Sequence, residues 1–267
     1  MIPSSRRLLR WPYNLVLNPS ALVDSASGYH IGSIRGRIQK LVSTVIFFIV
    51  NLVLYTLPLS INQTRELSVL VPPRELVIIL GIFVSDAEAA AVFFIRLLEN
   101  SLLLFYASVL MFIVYHTAVW ITRGSNGWIR SLDIITLSTG IYLAIIFTLL
   151  LLATSSLVVT GELLRGVQTE FLLLMIDLTG STHTITTARP IDPNELTPAG
   201  NLVLIALAVS ISYFGYVLYL GARRVHQLSR LESLSVIGVV AISPAVYSSV
   251  ALVLIEFTEL PPALFGL

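Results

Sequence analysis

The histidines and a small number of carboxylates are the residues of this sequence whose types suit acid–base or metal chemistry. His30, His116, His183 and His226 fall in different segments, and no HxxxH, HExxH or histidine–carboxylate spacing occurs. Zinc sites need such clusters of ligands. The sequence also has no cysteine, which excludes disulfides, thiol catalysis and cysteine-bound metals. We therefore expect no metal and no cofactor.

His116 lies toward the end of the second long apolar run and Asp133 at the start of the third, with a short turn between the two runs. If that turn is tight, the two side chains form an intramembrane polar pair. The alternative is that Asp133 caps the helix that follows it, where the helix dipole favours a negative charge. The context suggests neither a serine–histidine–aspartate set nor a phosphate-binding loop. We therefore predict no catalytic residues and expect the protein not to be an enzyme.

The elements that position these residues are membrane-spanning helices. Hydrophobic residues make up 56% of the 267-residue chain, charged residues only 12%, and the mean hydropathy is +0.89. A run of about 20 apolar residues is long enough to cross a bilayer as a helix. Five such runs predict an all-α, polytopic membrane helical bundle with five transmembrane helices and short interfacial segments. The predicted spans are about 41–61, 101–121, 132–160, 202–222 and 234–257.

The remainder of the chain divides around these spans. Residues 1–40 form a basic, interfacial N-terminal segment in the cytoplasm, and residues 41–267 form the membrane domain. The apolar runs at 71–84 and 171–178 are too short to cross, so we expect interfacial or re-entrant segments. Neither glycine nor proline occurs from Ala87 to Thr122, which predicts one helix that extends beyond the second span. Pro244 should kink the fifth span.

The distribution of charge predicts the orientation, because lysine and arginine in short loops are retained in the cytoplasm. Eleven basic residues and three acids fall on the side of the N-terminus, and five basic residues and twelve acids on the other. The N-terminus is therefore predicted to be cytoplasmic and the C-terminus outside. We expect the following residues to fix the topology and to contact lipid headgroups or a partner: Arg6, Arg7, Arg10, Arg35, Arg37, Lys40, Arg223, Arg224, His226 and Arg230.

Asn51 lies near the centre of the first span, where an amide in hydrocarbon needs a hydrogen-bond partner. We predict that it packs the first span against another helix, a contact that contributes about 0.6–2 kcal/mol. Small residues in the fourth and fifth spans permit close helix packing within the chain, and self-association is the alternative.

Three stretches resemble the Yip family, named for Ypt/Rab GTPase-interacting membrane proteins. They are NPSALVDSA before the first span, RGSNGWIRSLDIITLSTGIYLA around the joint between the second and third spans, and YFGYVLYLGARRVHQLSRLESLSVIGVV around the joint between the fourth and fifth spans. The resemblance implies five spans with a cytoplasmic N-terminus. The long hydrophilic N-terminal region of many eukaryotic members is missing, so the resemblance implies a prokaryotic-type member and does not carry GTPase binding over.

Together, the sequence predicts a non-enzymatic multi-pass membrane scaffold or accessory protein that binds other membrane proteins or shapes the bilayer. Its expected partners are membrane lipids and other integral membrane proteins or further copies of itself, and no nucleic acid. The expected location is the cytoplasmic membrane of the cell, or an endomembrane in a eukaryote. Two alternatives remain open: a small permease or channel whose pore passes Asn51, His116 and Pro244, and an obligate accessory subunit of a larger membrane complex.

Overall fold

The fold is known from a computed structural model. It describes Tyr13, Asn14, residues 17–21, Val23, and residues 34–64, 71–122, 124, 126–182 and 195–258. Every regular element within these ranges is helical, as predicted.

The helices are numbered in chain order and are joined at two places by π-helical segments, π1 and π2. Their bounds are α1 Ile34–Thr64, α2 Arg74–Leu80, α3 Ala87–Ile121, α4 Trp128–Asp133, π1 Ile134–Thr139, α5 Gly140–Ser156, α6 Val158–Thr179, α7 Pro198–Leu220, π2 Gly221–Val225 and α8 Arg230–Thr258.

Within the described residues, four stretches are long and apolar enough to cross a membrane: Ile34–Ile61, Ala87–Ile121, Pro198–Val225 and Arg230–Val250. A fifth span results if α4 and the start of π1 are counted together with α5, although that pair is bent by 48°. The structure therefore supports a multi-pass membrane protein with four or five spans. The four helices α1, α3, α7 and α8 all begin several residues before the predicted spans, because a helix continues into the headgroup layer where the apolar run ends.

The third predicted span, 132–160, is wrong in two respects: the stretch is bent by 48°, and it ends before residue 160. The helix ends at Ser156, since Leu157 has φ −120° and ψ 84°, and α6 starts at the next residue. Gly161 explains the sharp return, because a Cβ there would lie 2.7 Å from the carbonyl oxygen of Ala153. Only glycine lets α6 fold back so closely on α5. Hydropathy does not show this break because both sides of it are apolar.

The short apolar run at 171–178 belongs to a longer helix. α6 has 22 residues and ends at Gly180, whose φ of +66° is the left-handed conformation that terminates helices. Leu172 and Met175 are buried, whereas Arg165 and Asp177 are exposed. This division into an apolar and a polar face lets α6 pack against α5 and α8.

The second short run, 71–84, contains a helix of only seven residues, α2, which packs against α3. At 1.5 Å per residue it is roughly 10 Å long and too short to cross. The predicted long second helix is confirmed, since α3 runs without a break for 35 residues and is capped by the Asp86 carboxylate, which accepts from the N–H of Ala89. Pro244 lies within α8, which continues on both sides of it.

The main apolar core lies where the end of α3, the π1 segment, the start of α5, the end of α7, π2 and the start of α8 meet. Val23, which precedes α1, is completely buried in this core. We call this end of the bundle the junction end. The described residues of the joints between α3 and α4 and between π2 and α8 also lie there, and a side chain at Gly124 would overlap Leu228. Val23 and the described residues of both joints therefore share one end of the bundle.

Candidate functional site: a histidine and serine junction

The two π-helical segments contact each other at the junction end. π-helical turns are rare in proteins and occur frequently at functional sites. At Gly221, the first residue of π2, a Cβ would lie 2.8 Å from Cδ1 of Ile134 and 2.9 Å from the hydroxyl oxygen of Tyr115. Glycine is therefore what allows π2 to approach both π1 and α3.

A chain of hydrogen bonds beside this contact joins three parts of the sequence. The Oγ atom of Ser131 lies 3.0 Å from Nδ1 of His116 and 3.1 Å from Nε2 of His226. The backbone N–H of Asn126 donates to Nδ1 of His226 at 3.2 Å, and its side-chain amide donates to the carbonyl of Val225 at 2.8 Å. We call His116, Asn126, Ser131 and His226 the junction cluster.

The direction of these hydrogen bonds follows from one unambiguous donor. A backbone N–H can only donate, so Nδ1 of His226 accepts, and the neutral ring carries its proton on Nε2. That proton is donated to Ser131. The Ser131 hydroxyl is then free to donate to Nδ1 of His116. All the bonds in the chain are satisfied only while His226 is neutral.

The surroundings of His226 favour this neutral form. Its side chain is only 2% exposed. The pKa of His226 is lowered from 6.5 to about 4. Burial is the largest cause, and the nearby positive charges of His116 and Arg130 contribute the rest. A proton added to Nδ1 would face the N–H of Asn126. Protonation would therefore replace one hydrogen bond of the cluster by a contact between two donors.

Tyr115 lies against the cluster and is completely buried. Its ring centroid is 6.0 Å from that of His226, with the planes tilted by 59°. The hydroxyl oxygen has no hydrogen-bond partner among the described residues. It occupies the space that Gly221 leaves open. The tight packing at this point is thus achieved at the expense of one hydrogen bond.

This arrangement is suited to holding helices together and poorly suited to catalysis. Ser131 lies between two histidines, but its side chain has no exposed surface, so no substrate can reach the hydroxyl. Within the described part of the chain, no group of three or more histidine, aspartate or glutamate side chains could hold a metal ion. The hydrogen bonds of the junction cluster hold α3, α4 and the joint that follows π2 together.

The predicted partners His116 and Asp133 have separate hydrogen bonds. His116 bonds to Ser131 and stacks on Phe112, whereas Oδ1 of Asp133 accepts from the hydroxyl of Thr44 in α1 at 2.8 Å. Two residues along a helix differ by about 200° in direction, so Ser131 and Asp133 face opposite sides of α4. The alternative, that Asp133 caps a helix, is wrong because the backbone is helical through this residue and its side chain makes no cap bond.

Asn51 is bonded within its own helix. Its Nδ2 donates to the carbonyl of Phe47 at 2.7 Å, and the side chain is only half-buried. One turn of helix brings that carbonyl within reach, so the amide is satisfied without a second helix. Asn51 therefore makes its hydrogen bond within α1, and not to another helix as predicted.

Other residues form the polar contact between the first two spans, and they were not predicted from the sequence. The hydroxyls of Thr56 and Ser101 lie 3.1 Å apart, and Nδ2 of Asn100 donates to the hydroxyl of Ser60 at 3.0 Å. We call these four residues the α1–α3 ladder. Their spacing could have indicated this contact, because Thr56 and Ser60 are one helical turn apart and Asn100 and Ser101 are adjacent.

The predicted basic residues have three different outcomes. Arg35, Arg37, Arg224 and Arg230 are exposed, and Nη1 of Arg223 donates to the hydroxyl of Tyr219 at 3.2 Å. Lys40 lies within α1, and Arg6, Arg7 and Arg10 lie outside the described residues.

His226 does not belong with this group. Its burial in the junction cluster prevents it from contacting lipid headgroups or a partner, so that part of the prediction is wrong. A histidine two residues after a pair of arginines was assigned to their exposed surface, whereas the tight turn after π2 directs it into the protein.

No protein-family model, no curated protein and no solved structure matches the chain. The resemblance to the Yip family therefore depends on the sequence patterns alone and stays a prediction.

Proposed function

We propose that the protein is a non-enzymatic, multi-pass membrane scaffold or accessory protein of the Yip type in the cytoplasmic membrane. The observation that carries this proposal is how polar side chains within the helices are used. In the junction cluster and the α1–α3 ladder, they bond to one another and fasten helices together. A pathway for a polar solute needs such groups to line a water-filled space.

The geometry of the junction end supports the predicted orientation. α4 and π2 carry Arg130, Arg223 and Arg224, and α1 begins with Arg35 and packs against α4 and π1. Clustering of basic residues from separate segments at one end is typical of a cytoplasmic face. The arrangement that we propose has five spans, with α8 starting at that same end and the C-terminus on the outer side.

The permease alternative would need a route beside Asn51 and His116. Both side chains have hydrogen-bond partners within the protein, Phe47 and Ser131 respectively. A solute would have to break these bonds to use either group. We therefore favour a protein that binds neighbours through its outer surface, with an accessory subunit as the form of this function that has one stoichiometric partner.

Site-specific photo-cross-linking in native membranes tests the scaffold function. The cross-linking amino acid is placed at Ile205 of α7 and at Ile242 of α8, which are 62% and 59% exposed. Val217, which is completely buried in α7, is the matched control position. We expect both exposed positions, and not Val217, to give discrete adducts with integral membrane proteins. Mass spectrometry identifies these proteins, and reciprocal purification in mild detergent establishes which of them associate stably.

Two results would overturn the proposal. The first is that the exposed positions cross-link only to lipid. The second is that the purified protein, reconstituted alone in liposomes, transports a solute and loses this activity in His116→Ala. A single adduct at one-to-one stoichiometry would instead identify the accessory-subunit form.

A further inference from the structure

An apolar groove of about 170 Å³ opens on the surface between α1, α3 and the α4–π1 segment. Its floor is formed by buried residues, among them Ser108 and Ile135. Its rim is formed by Val45 and Ile49 of α1 and by Val109 of α3, whose side chains are partly or largely exposed. Almost the whole lining is hydrocarbon. The groove therefore faces the part of the bilayer that is occupied by acyl chains.

The two ends of the groove are marked by aromatic side chains. At the end away from the junction, the rings of Phe48 and Phe105 lie 6.0 Å apart across α1 and α3. At the junction end, Phe112 lines the groove and stacks on His116. Phe105 and Phe112 are two turns apart on α3, so the groove extends for about 10 Å along the helix.

These dimensions select among the possible occupants. A helix with its side chains is about 10–12 Å across, which is too wide to enter a groove of this volume. A hydrocarbon chain is narrow enough. The groove is also long compared with its width, which fits part of an extended acyl chain.

The charge near one end of the groove indicates the kind of lipid. Thr44 lines the groove close to the junction end, and Arg37 precedes it by seven residues, which is two helical turns. Arg37 is exposed, lies on nearly the same face of α1 and is displaced by about 10 Å toward the start of the helix. The headgroup layer extends about 5–8 Å beyond the hydrocarbon core on each side. Arg37 therefore lies beyond the apolar groove, on the side toward the start of α1, and a headgroup layer of this thickness brings a lipid phosphate within reach of its side chain.

The carboxylate of Asp133, which lies near this end, is turned away from the groove. Asp133 is only 2% exposed, and it lies behind Thr44, from whose hydroxyl it accepts a hydrogen bond. Arg35 provides a useful contrast to Arg37, because it precedes Thr44 by nine residues and so lies about 180° away on α1. Of the two exposed arginines, only Arg37 shares the face of the groove.

We propose that this groove is a binding site for one acyl chain of an anionic phospholipid, whose phosphate is held by Arg37. The chain lies between α1 and α3, from Phe112 at the junction end to the Phe48–Phe105 pair. This inference goes beyond the scaffold function and does not depend on it. The bound lipid would complete the packing between α1 and the α4–π1 segment.

Native mass spectrometry of the full-length protein, reconstituted in nanodiscs with equal amounts of phosphatidylglycerol and phosphatidylcholine, tests the site. We expect the wild-type protein to retain one phosphatidylglycerol after release into detergent. Val109→Phe fills the groove from its rim and should abolish this retention. Val50→Phe is the matched control, since Val50 is 52% exposed on α1 and lies outside the groove lining. It should retain the lipid.

The two arginines test the headgroup contact. Arg37→Gln should weaken the retention of phosphatidylglycerol about fivefold and leave phosphatidylcholine unaffected, because a basic residue at the membrane surface contributes about that factor. Arg35→Gln should behave like the wild-type protein. Circular dichroism checks that each variant is folded.

Three outcomes would overturn the proposal. Val109→Phe could retain as much lipid as Val50→Phe, which would place the lipid elsewhere. The two lipids could be retained equally and independently of Arg37, which would leave no anionic specificity. Finally, the wild-type protein could retain no lipid and form a dimer that Val109→Phe disrupts, in which case a second copy of the chain covers the groove.

Discussion

The junction cluster and the α1–α3 ladder both fasten helices with hydrogen-bonded polar side chains, but they differ in reach and in chemistry. The ladder joins two helices through residues 40 and 45 positions apart in the sequence, and it consists of hydroxyl and amide groups. The junction joins residues 95 and 100 positions apart and depends on imidazole rings. The ladder therefore cannot titrate, whereas the junction can.

This difference separates two uses of buried polarity in one bundle. Hydroxyl and amide pairs add modest stability at any pH, about 0.6 kcal/mol on average in membranes. A buried imidazole adds stability only in one protonation state. The junction end, where Val23 and the described residues of two joints meet, is thus the part of the molecule that acid should loosen first.

Replacing His226 should lower the free energy of unfolding more than any other change that distinguishes the junction cluster from the ladder. His226→Leu keeps a similar volume but removes the bonds to Ser131 and Asn126. A buried group that loses its partner costs about 1–3 kcal/mol, and Ser131 is completely buried. We expect the free energy of unfolding at pH 7.5 to fall by about 3 kcal/mol, as measured by titration with a denaturing detergent and followed by circular dichroism.

The same variant tests the pH dependence. The pKa of His226 is about 4 in the folded protein and 6.5 without burial, so the unfolded chain binds the proton first as the pH falls. The wild-type protein should therefore be fully stabilised by His226 above pH 6.5. Between pH 6.5 and 4 it should lose up to about 1.4 kcal/mol per pH unit. His226→Leu should lack this loss, and an unchanged slope would show that other groups cause it.

The helices were predictable from the sequence for a simple reason. Crossing a bilayer requires only a long apolar run, and such a run is visible in the sequence without knowledge of any contact. The continuous α3 was predictable because nothing in it breaks a helix. The break at Leu157 was not, because it depends on the close approach of Gly161 to the carbonyl of Ala153, a contact between helices.

The candidate site was harder to predict because its members are distant in the sequence. His116 was identified as a polar residue with a partner across the next turn, and the turn does supply one. That partner is Ser131 and not Asp133, and the choice depends on which face of α4 meets α3. His226 was noted only for its basic neighbours, since the sequence does not show that the turn after π2 buries it.

Closing the space between the π segments should have the next largest effect. Gly221→Ala places a methyl group 2.8–2.9 Å from Ile134 and Tyr115, so buried side chains must shift. Overpacking of this kind costs about 1–3 kcal/mol. We expect a loss of about 2 kcal/mol in the same unfolding assay, together with weaker protection of the Asn126 amide from hydrogen exchange.

Gly215→Ala is the matched control for this change. Gly215 lies in α7, and a Cβ there meets nothing within 4 Å. Replacement of glycine by alanine inside a helix is otherwise favourable by about 1 kcal/mol. The control should be neutral or more stable than the wild-type protein. Equal losses at the two positions would mean that the junction is no more tightly packed than the rest of α7.

The smallest effect should come from the ladder. Thr56→Val removes the hydroxyl that contacts Ser101 and keeps the shape of the side chain. We expect a loss of about 0.6 kcal/mol that is the same at pH 7.5 and pH 5, because no member of the ladder titrates. Thr154→Val is the control, since both threonine hydroxyls bond back to their own helix but only the hydroxyl of Thr56 also bonds to a side chain of another helix. A loss at Thr56 that grows in acid would contradict the distinction between the ladder and the junction, because it would mean that the two contacts open together.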